Sequence, residues 1–415
     1  MTHATRTLTL MLVAGMLFLM LGCGQQSNCN GASFGSTGGA GSGSSGNVSS
    51  GGSVCGGGST DAGGGGGSNG AIADFMYDLS YDTTVSSPTT NIVQGASLTT
   101  AGAFANISGF NGPSFSFDSS QNMVIVNKQF LYIPQPTLNQ IQAFAINRTT
   151  GALTAIQGSP FTTAGGSTVA SDPQGHFLFV GSTSNGLISV FQINSTTGAL
   201  TQNVNSPFST TLLFSYFVNV DGQGKYLYVG QHNPSLPTGV FSIDPATGDL
   251  QSVGSFSLGV SGGSIASFNS GATEYYVAGS GIGGDNNLYV YTIDPATGIP
   301  SPVNGQPFPT NATPNFLAVH PSGQFLYVSE IDSSQAGVFE GFQLNSSTGA
   351  ITAMSNSPFS NFASMYECQF DQSGANLFCV SSTGYTVLTI DPSTGAPTST
   401  IPELQASPFV FAVTN

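Results

Sequence analysis

The chain has 415 residues, with 4 Lys+Arg against 19 Asp+Glu and a formal net charge of −15. Only 6% of residues are charged, against about 25% in an average soluble domain, so Ser, Thr, Asn and Gln must carry the surface polarity. No basic patch can form, which excludes nucleic acid and anionic lipid headgroups as electrostatic partners.

Residues 1–23 read as a targeting segment. Arg6 supplies a short positive start and 8–21 is an apolar run, shorter than the roughly twenty residues a membrane-spanning helix needs. The run ends in Leu21-Gly22-Cys23, a small residue before Cys that resembles the lipobox of bacterial lipoproteins, with Met20 where Leu is usual. That resemblance implies cleavage before Cys23 and its lipidation. The ordinary alternative is a plain signal peptide with an incidental Cys. Residues 24–70 are mostly Gly and Ser and cannot bury a core. They read as a disordered tether with an end-to-end distance of about 35–40 Å, holding the remainder, 71–415, off a membrane.

The rest of the chain repeats. INRTTGAL (146–153), INSTTGAL (193–200), IDPATGDL (243–250), IDPATGIP (293–300), LNSSTGAI (344–351) and IDPSTGAP (390–397) recur at a period of about fifty residues, the mark of a repeat architecture. Upstream of each is a turn and an aromatic strand: DPQGHFLFV (172–180), DGQGKYLYV (221–229), NSGATEYYV (269–277), HPSGQFLYV (320–328) and DQSGANLFCV (371–380), with a degenerate first copy at 119–133. A short apolar strand precedes each turn, a third strand leads into the Thr-Gly turn, and a fourth usually closes on Ser-Pro-Phe, as at 159–161, 206–208, 357–359 and 407–409. Asp, Pro and Gly suit these turns by side-chain capping, preset φ and left-handed freedom respectively. No sustained helical periodicity is present. Four antiparallel strands per unit make the blade of a β-propeller, and the chain reads as all-β. Six units are explicit. The C-terminal PFVFAVTN (408–415) matches a first strand, and 73–98 can supply three more strands. A seventh blade shared by the two ends would close the ring with no open edge.

With these motifs in view, residues 113–415 resemble the bacterial lactonase-type seven-bladed β-propeller family, whose members carry repeated DPSGKFLYV and IDPxTGxL motifs. The family includes 6-phosphogluconolactonases. The resemblance implies a site around the central channel using His with Arg and Glu. The sequence departs from that pattern: beyond the leader its only Lys and Arg are Lys128, Arg148 and Lys225, all in strand 1–2 or 3–4 turns. A sugar phosphate would find no Arg or Lys on the opposite face.

Candidate chemistry is sparse. The strand 2–3 loops carry His232, Asp285, Glu330 and Asp332. His with a carboxylate can act as general base and partner; the plain alternative is loop residues in water. His176 and His320 read as turn residues. GASFG (31–35) matches G-x-S-x-G but lacks the strand and helix of a nucleophile elbow, and 279–284 opens no helix, so it is no phosphate-binding fingerprint. Asp285 with neighbouring carbonyls is a weak Ca²⁺ candidate, since one carboxylate is too few. No other cofactor is implied. Cys368 and Cys379 flank the 371–376 turn symmetrically, which places them opposite each other in a hairpin, within disulfide range. They are either bonded or two buried thiols.

Two functional readings follow. The favoured one is a non-enzymatic, monomeric propeller, lipid-anchored in the bacterial cell envelope at the outer membrane or periplasmic face, that binds a protein or carbohydrate through its loops. The other is a lactonase-family hydrolase of an uncharged lactone or sugar derivative.

Overall fold

The computed structural model describes residues 71–415 except 82–89, 100–102, 117–121, 211–214, 216, 231–235, 259–263, 271–272, 280–284, 332–336, 360–364, 382–383, 406–407 and 415. The leader, Cys23 and the tether therefore lie outside the described residues, as do His232 and Asp332. The described residues are strands and connections arranged as seven antiparallel blades in a ring.

Blades 1–6 follow the chain. Their innermost strands are Val124–Val126, Thr168–Ser171, Phe217–Val220, Ser264–Ser270, Thr313–Val319 and Met365–Phe370. In each, three further strands follow outward by hairpin connections. Blade 7 is shared. The C-terminal strand Pro408–Val413 is innermost and pairs with Ile72–Tyr81, which pairs with Thr90–Thr99, which in turn pairs with Phe104–Asn106 and Ser114–Ser116. The expected clasp, one strand from the C-terminus and three from the N-terminal part, is thus present. Thr414 completes it: its N–H donates to the Phe75 carbonyl at 2.9 Å and its hydroxyl accepts from Phe75 N–H at 2.8 Å.

The apolar core lies between blades. One cluster joins Tyr77, Leu79, Phe411 and Val413 of blade 7 to Leu131 and Ile133 of blade 1 and to Val380 and Tyr385 of blade 6, so the closure is buried on both sides. Burying apolar faces on both sides of every sheet explains why the second strands, such as Phe177–Gly181, are buried along their whole length.

The repeated Thr-Gly motif ties neighbouring blades together. In the first copy, Asn147 Oδ1 accepts from the N–H groups of Thr149 and Thr150, and Gly151 N–H donates back to the Asn147 carbonyl at 2.7 Å. Asp244, Asp294 and Asp391 accept the same pair of N–H groups in their copies. Gly151 has φ of 71°, and a Cβ there would sit 2.7 Å from the Phe75 ring; only Gly meets both demands. Its carbonyl then accepts the Tyr77 hydroxyl of the preceding blade at 2.8 Å, as Gly198 accepts Tyr132 at 2.7 Å and Gly298 accepts Tyr228 at 2.9 Å.

Blade 4 departs from the sequence alignment by one residue. Ser270 pairs with Thr273 and Ser264 with Gly279, so Tyr275 stands where Tyr226 stands in blade 3, and Val277 where Tyr228 does. The bonding tyrosine is thereby lost, and Tyr275 instead donates to the Ser346 carbonyl at 3.3 Å.

Candidate functional site

Antiparallel blades put the 1–2 and 3–4 turns on one face and the 2–3 and 4–1 loops on the other. Lys128, His176, Lys225 and His320 stand in 1–2 turns and Arg148 in a 3–4 turn. Every described Lys, Arg and His is therefore on the turn face. His320 replaces the capping Asp of its repeat. Its Nε2 donates to the Gly374 carbonyl of blade 6 at 3.0 Å, while Nδ1 accepts from Ser322 N–H at 3.0 Å. Burial lowers its pKa and keeps it neutral. His176 is 61% exposed beside Asp172, 3.6 Å away.

Glu330, a loop-face candidate, is sealed in the wall between blades 4 and 5. It is 0% exposed, and its Oε2 accepts from Ala312 N–H at 2.7 Å. Desolvation, with the nearby Glu340, pushes its pKa up to about 10, so it is a neutral acid at physiological pH. Glu340 accepts both the backbone N–H and the side-chain amide of Asn311. The two acids pin the blade 4–5 connection from inside. Asp285 is exposed, and its Oδ2 accepts from the Tyr289 hydroxyl at 2.6 Å. Among the described residues no three His, Cys, Asp or Glu side chains gather to hold a metal.

A cavity of about 450 Å³ lies at the inner edge of blades 5 and 6, lined by Phe316, Leu317, Ala318, Cys368, Gln369 and Phe370 among others. Cys368 faces Cys379 in the strand register, and their sulfurs are bonded at 2.11 Å. Above this cavity, toward the loop face, is a polar group that sequence reasoning missed. Glu367, Val380 and Tyr385 lie in one row across blade 6, Glu367 opposite Val380 and Val380 opposite Tyr385. Cross-strand partners share a face, and here it is the face toward blade 7, where the Tyr385 and Phe411 ring centroids are 6.4 Å apart. Asp78 of blade 7 pairs with Phe411 and accepts the Ser80 hydroxyl. The Tyr385 hydroxyl lies beside the Asp78 carboxyl, within reach of the Glu367 charge, but makes no well-aligned hydrogen bond. Glu367 is half-buried at the inner end of the row. Its Oε1 accepts from Gln369 Nε2 at 3.0 Å, and the same amide reaches the Phe411 carbonyl at 3.0 Å. Desolvation raises Glu367 to about 7 and the 2%-exposed Asp78 to about 6. Asp78 lies nearly three hundred positions before Glu367 and Tyr385 and joins their row only through ring closure, so no local motif announced the group.

Comparison with known proteins bears on the fold. The family model "Lactonase, 7-bladed beta-propeller" matches residues 94–214. No curated protein matches the sequence. Among solved structures, a candidate 6-phosphogluconolactonase from Bacteroides fragilis is 16% identical, with a TM-score of 0.60 over 82% of this chain and 98% of its own. The periplasmic gluconolactonase of Pseudomonas aeruginosa is 15% identical, with a TM-score of 0.60 over 82% and 99%. A protein from Lactobacillus plantarum matches at 15% identity with the same TM-score and the same coverage. At such identities the likeness is one of fold: the chain is a propeller similar to the lactonase type.

Proposed function

We propose that the chain is an extracytoplasmic lactonase-type propeller that hydrolyses an uncharged lactone or sugar derivative from its loop face. The family match over 94–214 supports the reaction class, and the fold shared with a periplasmic gluconolactonase supports the address. The observation that carries the choice of substrate is the placement of cations. All described Lys, Arg and His stand on the turn face, so a phosphorylated sugar entering from the loops meets no guanidinium or ammonium partner. D-glucono-1,5-lactone should be turned over well above its spontaneous rate, and 6-phosphogluconolactone should not. Selective turnover of the phosphorylated lactone would overturn the reading.

The seclusion of Glu330 favours a second reading, binding without catalysis, since that acid is spent on Ala312 rather than offered to a ligand. Saturable binding of the lactone with no acid release would select it. In either case the chain is tethered through lipidated Cys23. Cys23→Ala should move the protein from membrane pellets to the soluble fraction; a variant that stays in the pellet with its leader uncleaved would contradict the tether.

A further inference from the structure

We infer that Glu367 is the general base of this site, activating a water held where the row Glu367–Val380–Tyr385 meets the channel. The inference rests on the lactonase reading above. Glu367 stands on an innermost strand, one row above the cavity that Gln369 lines, and its strand is bulged between Met365 and Glu367. A bulge re-aims a side chain. It is the most exposed acid of the group: Asp78 is 2% and Tyr385 3% exposed, so neither is open to solvent. The Gln369 amide holds Oε1, which fixes the carboxylate and leaves its other oxygen for water. The Tyr385 hydroxyl, buried in the same row, lies against the Asp78 carboxyl and within the field of both acids.

The chemistry balances without a metal or second reactant. Oε2 takes a proton from water as the water oxygen bonds to the lactone carbonyl carbon. The tetrahedral adduct collapses, the ring C–O bond breaks, and the leaving oxygen takes the proton back from Glu367 as the hydroxy acid is released. A base serves best when its pKa lies near the working pH, and burial raises Glu367 to about 7. The ionisable group beside it is Tyr385 of its own blade, which in turn lies against Asp78 of blade 7; the described cations are all on the other face.

The test uses the full chain and D-glucono-1,5-lactone, with acid release corrected for spontaneous hydrolysis. In the wild type, kcat/KM should rise with pH through a midpoint near 7. Glu367→Gln should lower kcat by about 100-fold or more, the usual scale of a lost general base, and abolish that limb, with an unchanged circular dichroism spectrum. Glu367→Asp should recover part of the rate and keep the limb. An active wild type whose Glu367→Gln variant keeps its rate and midpoint would overturn the role of Glu367 while leaving the lactonase reading intact. A wild type inactive on neutral lactones would overturn both. Should the Gln variant fail to fold, a wild-type profile flat between about pH 5.5 and 8.5 still refutes the inference, because a base near neutrality must titrate there.

Discussion

Glu330 shows how one side chain can look catalytic and be structural. Its loop position suggests an exposed acid, yet it is fully buried with its pKa near 10 and its Oε2 on the Ala312 N–H. A neutral acid and a neutral amide are nearly interchangeable there. Glu330→Gln should therefore change unfolding free energy by less than about 1 kcal/mol, since an acceptor for Ala312 remains. Glu330→Ala strands that N–H in the interior and should cost about 1–3 kcal/mol. Urea titrations of the two variants check this. A Gln variant as costly as the Ala variant would mean that the ionised form is the native one. Glu330 was legible in the sequence as an acid on blade 5, but its role depends on the depth of the blade 4–5 wall, which spacing alone does not set. Glu367 and Asp78 were passed over for the opposite reason. Each sits within an apolar strand, and what connects them, Tyr385 beside Asp78 and the Gln369 amide between Glu367 and the Phe411 carbonyl, forms only across the ring closure.

The same contrast runs through the strands and turns. Turn residues act on their own neighbours, so Asp-Pro-x-Thr-Gly could be read directly, and the blade count and the clasp followed from the repeat. The Ser-Pro-Phe motif was legible only as the end of a fourth strand. In the structure, Ser159, Ser206 and Ser357 accept from the N–H groups of Ala143, Val190 and Gly341 at 2.9, 2.9 and 3.0 Å. Blade 4 has Gln306 instead, and its side-chain oxygen serves Val290 at 2.8 Å. The fourth strands of blades 1, 2 and 4 break at this point, for instance between Leu200–Gln202 and Phe208–Ser209, and the side chain fills the missing rung. Blade 3 lacks the motif and its fourth strand, Leu250–Phe256, is continuous. Ser206→Ala should cost about 1–3 kcal/mol by leaving the Val190 N–H unpaired, whereas Ser242→Ala, a half-buried strand position making only a solvent-exposed 3.4 Å bond to the Gln251 carbonyl, should cost under about 1 kcal/mol. Equal losses in thermal denaturation would refute the capping role. The one-residue slip in blade 4 was invisible for a physical reason: Tyr275 and Tyr276 are chemically alike, so composition cannot say which of them faces which neighbour.

At the scale of the whole molecule, the buried acids set the pH dependence of stability. Desolvation is the largest cause at each of them: Asp78 rises to about 6, Glu274 and Glu367 to about 7, Glu330 to about 10, with Asp74 and Asp221 also raised. A carboxyl raised on folding binds its proton more tightly in the native state than in the unfolded chain. Its stabilising contribution is complete below the unfolded value of about 4 and is lost as pH rises through the folded value. Exposed turn acids act oppositely. Asp391, lowered to about 2 chiefly by its Ser393 hydrogen bond, and Asp244, lowered chiefly by Ala246 N–H, contribute above about pH 4 and fade as acid protonates them. The net charge of −15 adds self-repulsion at neutral pH that acid relieves. The unfolding midpoint in urea should therefore climb as pH falls from 8 to about 5, and turn downward below about 4. For most proteins, whose paired carboxylates are depressed, the acid side of this range is already destabilising. A midpoint that rises steadily from pH 5 to 8 would show that Asp78, Glu274 and Glu367 are ionised at little cost in the folded ring. The seam between blades 6 and 7 would then need a counter-charge that the described residues do not supply.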